Sequence, residues 1–205
     1  MAVITNFGVP TDSAAGTTLM PKLQYRFRVS FTNMGDGKQK SEMTQNVISA
    51  SRPNLTHEEV IVDSYNSKMY LAGKHTWEPV TIVFRDDMNS NVIKQLGFQM
   101  NNQVDHADQA SATAGGSYKF SVKIETLDGQ NGAVKPTTFD EWQLEGCFVS
   151  QVQYGDLNYA DSNMVQVTLT IRYDHAAHVI KGDDVLSGEG PGLLGSGATD
   201  GGSGA

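Results

Sequence analysis

The sequence has a single cysteine, Cys147, so no disulfide within the chain can staple the fold. That usage fits a protein made in a reducing compartment. No apolar run approaches the ~18 residues that a membrane-crossing helix needs. No Lys or Arg precedes Lys22, and the N-terminal stretch has no continuous apolar segment, so the parts of a signal peptide are missing. Basic residues are few, 15 Lys and Arg against 23 Asp and Glu, for a formal net charge of -8. Tight binding to nucleic acid needs clustered cations to displace counterions from phosphates, so this balance argues against it. G-x-S-x-G, P-loop and H-E-x-x-H patterns are also absent, and no catalytic, cofactor-binding or metal-ligating residue can be named on a motif.

What remains is one domain's worth of chain, 205 residues, long enough to build a core without disulfide or metal support. Charge is spread unevenly along it. Residues 1–102 hold 10 basic and 9 acidic residues, and residues 103–205 hold 5 and 14, so the halves carry +1 and -9. Such asymmetry fits an acidic surface or two complementary faces that meet in an assembly.

Five segments alternate apolar and polar with period two, the pattern of strands that bury one face. Tyr25, Phe27, Val29 and Phe31 form the first, and Val80, Ile82 and Phe84 follow Pro79 in the second. Tyr118, Phe120, Val122 and Ile124 form the third. Trp142 and Leu144 begin the fourth, where Gly146 breaks parity before Cys147, Phe148 and Val149, so a bulge is expected there. Val165, Val167, Leu169, Ile171 and Tyr173 form the fifth. Stretches near Val47–Ile48 and Val60–Val62 add strands, for six or seven in all. Val92, Ile93, Leu96 and Met100 recur at helical spacing, with Asp87, Asn89 or Ser90 available to cap. Gly129 and Asn131–Gly132 mark turns. The pattern predicts a mainly β protein, an antiparallel β-sandwich or β-barrel with one flanking α-helix. Its organisation reads as an N-terminal arm (1–22), a β domain (23–181) and a Gly-rich acidic tail (182–205).

Short clusters have ordinary explanations. Gly190, Gly192 and Gly195 match G-x-G-x-x-G, but no following helix or downstream acid has room before the sequence ends. Asp87, Asn89 and Asn91 begin a calcium-loop spacing that then has Val92 where Gly is needed and Phe98 where Glu is needed, so they read as helix capping. His175 and His178 lack a third ligand at a diagnostic spacing and read as a surface turn. His57, Glu58 and Glu59 read as charge at a strand start, and Cys147 as a small buried hydrophobe.

Larger blocks carry more. LQYRFRVSF, YNSKMYLAGKHTWEPVTIVFRDD, YKFSVKIETLD and WQLEGCFVSQVQYGDLNYADS, in this order and spacing, resemble the tail-tube proteins of contractile-tailed bacteriophages. Those are similar in fold to tube proteins of R-type pyocins and type VI secretion systems. The resemblance spans about Leu23 to Ala176. It implies hexameric rings with a continuous inner β-barrel, stacked into a tube that conducts DNA during ejection. It implies as partners further copies of the chain, a sheath protein, a tape-measure protein in the channel, a baseplate and a tail terminator. It implies location in the virion tail after assembly in the host cytoplasm, and a structural rather than enzymatic role. By position, it assigns subunit or ring-stacking contacts to Tyr65, Asn66, Met69, Tyr70 and Lys74. A tube or baseplate-proximal subunit of a related injection machine is the alternative. A monomeric β-sandwich binding module or a β-barrel metalloenzyme is more remote. For a DNA channel, the -8 charge suggests an acidic lumen that repels phosphate.

Overall fold

The computed structural model describes residues 22–35, 40–111, 118–128, 137–160 and 162–180, with short pieces at 11–12, 17–18, 116 and 183–184. The elements in order are β1 (Thr11–Asp12), β2 (Thr17–Thr18), β3 (Phe27–Thr32), α1 (Lys40–Gln45), β4 (Val47–Ala50), β5 (Leu55–Ser64), β6 (Ser67–Trp77) and β7 (Val80–Arg85). Then come α2 (Asn91–Gln103), β8 (Val104–Asp105), β9 (Ala110–Ser111), β10 (Phe120–Leu127), β11 (Thr138–Tyr154), β12 (Gln166–Arg172), β13 (His175–Ile180) and β14 (Asp183–Asp184). All pairings among them are antiparallel.

Two layers share the 17-residue strand β11. Its first half lies between β10 and β13, and β3 adds beyond β10 and β14 beyond β13. Its second half pairs with β12, which is followed by β7 and β4. The apolar members of each alternation face inward. Val29, Phe31, Phe120, Val122, Ile124, Leu144 and Cys147 meet Val80, Ile82, Phe84, Val167, Leu169 and Ile171. The Phe31 and Phe84 rings, 5.8 Å apart, bridge the layers. Each such side chain contributes about 1.5–3 kcal/mol on burial, which is the main drive for closing the sandwich.

The switch between layers lies at Gly146. Phe120 pairs with Cys147 and Val122 with Leu144, so Ser121 of β10 alone opposes Glu145 and Gly146 of β11, the expected bulge. Gly146 sits at φ 66, and a Cβ there would meet the Asp174 carboxylate at 2.3 Å. Asp174 interrupts the strand run opposite, between β12 and β13, and its backbone N–H donates to the Glu145 carbonyl.

Helix α2 closes the open side of the sandwich. Val92 and Leu96 are buried as the periodicity predicts, but so are Gln95 and Gln99. The Gln99 amide accepts from the Gly35 N–H at 3.0 Å and donates to the Tyr118 carbonyl at 2.6 Å. Gln103 donates to the Val149 carbonyl at 3.0 Å and accepts from its N–H at 2.9 Å. That satisfies β11 just beyond the point where β10 stops pairing with it. Buried backbone groups need such partners, and here side chains of a helix supply them.

Several sequence expectations are corrected. Tyr25 and Tyr118 lie just outside β3 and β10, because both precede the residues that actually pair. A second helix, the six-residue α1, tucks Met43 into the core. Of the three cap candidates, Ser90 makes no side-chain cap and Asp87 fills the role as expected, its carboxylate accepting from the Asn91 N–H at 2.9 Å, which holds its pKa low. His175 and His178 lie in β13 rather than in a surface turn. His178 stacks on Trp142 with centroids 4.0 Å apart and pairs with the buried carboxylate of Asp140. The expected turns at Gly129 and Asn131–Gly132, and the Gly190–Gly195 pattern, lie outside the described residues.

Candidate functional site

β5 and β6 form a hairpin that continues the strands of β4 and β7 past Pro53 and Pro79. Ten and eleven residues long, its strands extend roughly 30 Å at about 3.3 Å per residue. From Thr56 to Thr76 every residue except Gly73 is exposed. Both faces are therefore bare of the body. At the root, Trp77 packs on Tyr173 with centroids 5.8 Å apart and meets His75 edge-on at 6.2 Å. Burial pushes the Tyr173 hydroxyl up to about 12.

The register sorts the hairpin's side chains. Val60 pairs with Leu71 and Val62 with Met69, placing four apolar residues on one face. Ile61 pairs with Tyr70 on the other, beside Asp63 and Lys68, whose charged groups are 3.7 Å apart. The turn is Tyr65–Asn66, with Tyr65 at φ 34 and fully exposed. A two-stranded hairpin is marginal in water on its own, and exposed Val, Ile, Leu, Met and Tyr on it need a covering surface.

Of the residues assigned by resemblance, Tyr65 and Asn66 occupy the tip and Met69 and Tyr70 opposite faces. Lys74 sits at the irregularity where Glu59 pairs with Ala72 after His57 pairs with His75. The hairpin gathers them on one arm but not on one face. Val60, Ile61, Val62 and Leu71 belong to the same arm and were not singled out. The letters near Val60–Val62 predict a strand, and the structure shows these four side chains exposed.

At the opposite end of the β4–β7–β12–β11 layer, the β11–β12 connection forms a second exposed apolar feature. Val80 pairs with Ile171 at the hairpin end of that layer and Arg85 with Gln166 at the other. The loop that follows Tyr154 exposes Leu157 (83%), Tyr159, Met164 and Val165, which line a pocket of about 720 Å³. Gly155 closes the loop by donating to the Gln166 carbonyl at 3.1 Å, and a Cβ there would approach that oxygen to 2.8 Å. The block WQLEGCFVSQVQYGDLNYADS, which carries part of the resemblance, runs through this loop, but its apolar letters were not assigned a contact.

The outer faces of the two layers differ in charge. On the β4–β7–β12–β11 layer the register aligns Ser49, Val83, Thr168 and Gln153 in one row and Thr81, Thr170 and Gln151 in the next. Arg85 and Arg172 stand at its two ends, and no acid lies among the described residues of these strands on that face. The other layer carries cross-strand ion pairs, Arg28 to Glu125 at 2.6 Å and Lys123 to Glu141 at 2.7 Å. Burial alone would raise the Glu141 pKa, but hydrogen bonds from Lys123 and Gln143 outweigh it and hold it low. Cys147 is fully buried, and burial pushes its thiol up to about 12, so it is not a nucleophile at neutral pH.

No family model matches the chain, and no curated protein matches it by sequence. Solved structures do match by shape. A chain of the anti-feeding prophage tube-terminating cap superposes with TM-score 0.59 at 13% identity, covering 82% of this chain and 97% of that one. A chain of the sheath–tube complex of an extracellular contractile injection system, in its extended state, gives 0.57 at 13%, covering 83% and 99%. The SPP1 tail tube gives 0.51 at 7%, covering 80% and 81%. The protein has the fold of the tube proteins of contractile injection systems and phage tails.

Proposed function

We propose that this protein is the repeating subunit of the inner tail tube of a contractile phage, forming hexameric rings whose stacked channel conducts DNA into the host. The observation that carries the reading is the bare β5–β6 hairpin. An arm this long, apolar on both faces and unsupported by its own body, suits a protein that completes its packing only among copies of itself. Tyr65, Asn66, Met69, Tyr70 and Lys74 then belong to subunit contacts, together with Val60, Val62 and Leu71. Six copies of the β4–β7–β12–β11 layer, side by side, make the inner barrel, and barrel closure removes the open edges of β4 and of the last residues of β11.

With that layer inward, the channel wall is Ser, Thr, Gln and Val83 with Arg at its ends, not the acidic lining suggested by net charge. A polyanion then passes because little on the wall holds it, rather than because the wall repels it. In this reading the protein is structural and non-enzymatic, resides in the virion tail after assembly in the host cytoplasm, and meets a sheath outside and a tape-measure protein inside. Baseplate and terminator close the two ends. Electron microscopy of the purified protein tests it: tubes or six-fold rings are expected, and a strict monomer at high concentration overturns it. A baseplate-proximal ring is a second reading, since a chain of the anti-feeding prophage baseplate matches with TM-score 0.58, as well as the sheath–tube chain does. Copy number per particle separates the two.

A further inference from the structure

Two strand edges stand open beside a groove. Among the described residues β3 pairs only with β10 and β4 only with β7, and both strands line a groove of about 1160 Å³ between the layers. Phe27, Val47, Ile48 and Ala50 give it apolar walls, and its charged lining is Lys22, Arg28 and Arg52, three bases and no acid. Lys22 and Arg28 meet the carboxylates of Asp140 and Glu125, whereas Arg52 is exposed and has no carboxylate partner among the described residues. Barrel closure as proposed above takes the edge of β4 and leaves that of β3 bare. An apolar groove beside an open edge needs a cover, since both invite adventitious pairing.

The C-terminal segment has the chemistry and the starting point to be that cover. From Gly182 onward the sequence holds Asp183, Asp184, Glu189 and Asp200 and no base, and it sets Leu193 and Leu194 among glycines. The register fixes where this segment leaves the body. Asp183 pairs with Ile180, Ile180 with Asp140, Asp140 with Thr126 and Thr126 with Phe27, a single row across the five strands of one layer. Thr126 and Phe27 line the groove, and Lys22, which also lines it, reaches Asp140 in the same row with 3.6 Å between their charged groups. Four strand spacings of ~4.8 Å separate Asp183 from Phe27, about 19 Å in all, which about six extended residues span. That distance brings Glu189 to the bases and leaves Leu193 and Leu194 to enter the groove beyond it. We propose that residues 188–195 seat in the β3–β4 groove of their own chain, with Leu193 and Leu194 on its apolar walls and Glu189 facing Arg52. The segment before Lys22, with Asp12 as its one acid, lacks that charge match.

Cysteine pairs in the full chain test this, with Cys147 buried and silent. Ile48→Cys combined with Leu194→Cys is expected to close an intrachain disulfide under mild oxidation, read as a faster-migrating monomer on a non-reducing gel. Tyr65→Cys combined with Leu194→Cys is the control and should stay open, because the hairpin tip stands roughly 30 Å from the body. Ile48 and Tyr65 are both exposed, so neither substitution disturbs the core. Adding Leu193→Asp to the first pair should slow closure about ten-fold, since a carboxylate cannot replace an apolar side chain in the groove. Adding Glu189→Arg should slow it about 2–5-fold, the effect of one exposed ion pair, and Arg52→Glu in the same chain should restore the rate. Equal closure from Ile48 and Tyr65, cross-links between chains only, or closure indifferent to Leu193→Asp and Glu189→Arg overturns the proposal. None of these readouts requires rings or tubes to form, so the tube reading stands or falls separately.

Discussion

Replacing Gly146 with alanine perturbs the point where β11 passes from one layer to the other. Two costs arise there. At φ 66 the backbone is left-handed, which costs a residue with a Cβ about 1–2 kcal/mol. The new Cβ would also stand 2.3 Å from Asp174 Oδ2 and 2.8 Å from its Cγ, an overpacking worth about 1–3 kcal/mol. Gly146→Ala should therefore destabilise by about 2–5 kcal/mol in urea denaturation. The two costs are separable. Asp174→Ala alone loses only the mostly exposed pair with Lys119, worth about 0–1 kcal/mol. In the double variant the nearest remaining Asp174 atom, its Cβ, is 3.1 Å away, so the steric part largely disappears and about 1–2 kcal/mol of backbone strain remains. A double-mutant cycle reads the difference. Strict additivity of the two substitutions would refute the steric account, and a cost below about 0.5 kcal/mol for Gly146→Ala would refute both parts.

Further outcomes follow from other contacts. Gln103→Leu removes both partners of Val149 and should cost about 1–3 kcal/mol for each group left unpaired, with faster amide exchange at Val149 as its signature. The lowered pKa of Glu141 means that its contribution to stability is present above the ordinary carboxylate range and is lost as pH falls through its folded value. Acid titration of stability should therefore be shallower in Lys123→Met than in the native protein. Cys147 should react with a thiol reagent such as DTNB only at the rate of unfolding, and rapid labelling of the native protein would contradict its burial. Val60→Ser and Leu71→Ser should leave the stability of an isolated subunit within about 0.5 kcal/mol, since both side chains are exposed, yet should abolish tubes seen by microscopy.

Local alternation and punctuation determined much of the fold. Period-two runs located β3, β7, β10, β11 and β12, and the parity break at Gly146 located the bulge, because a strand's faces are written directly in its sequence. Helical spacing located α2. The glutamines on its buried face were not legible, since their partners, Gly35, Tyr118 and Val149, come from three distant segments. Nor was the place of His178, whose partners Asp140 and Trp142 come from a different strand. For the candidate site the division is sharper. The resemblance pointed to the segment from Tyr65 to Lys74, but whether Val60, Val62 and Leu71 were core or surface depended on what the body leaves uncovered. Only the tertiary structure sets the apolar loop at Leu157 and Tyr159 at the far end of the same strands from that arm. Burial and distance between remote segments are properties of the folded chain, and no local pattern encodes them.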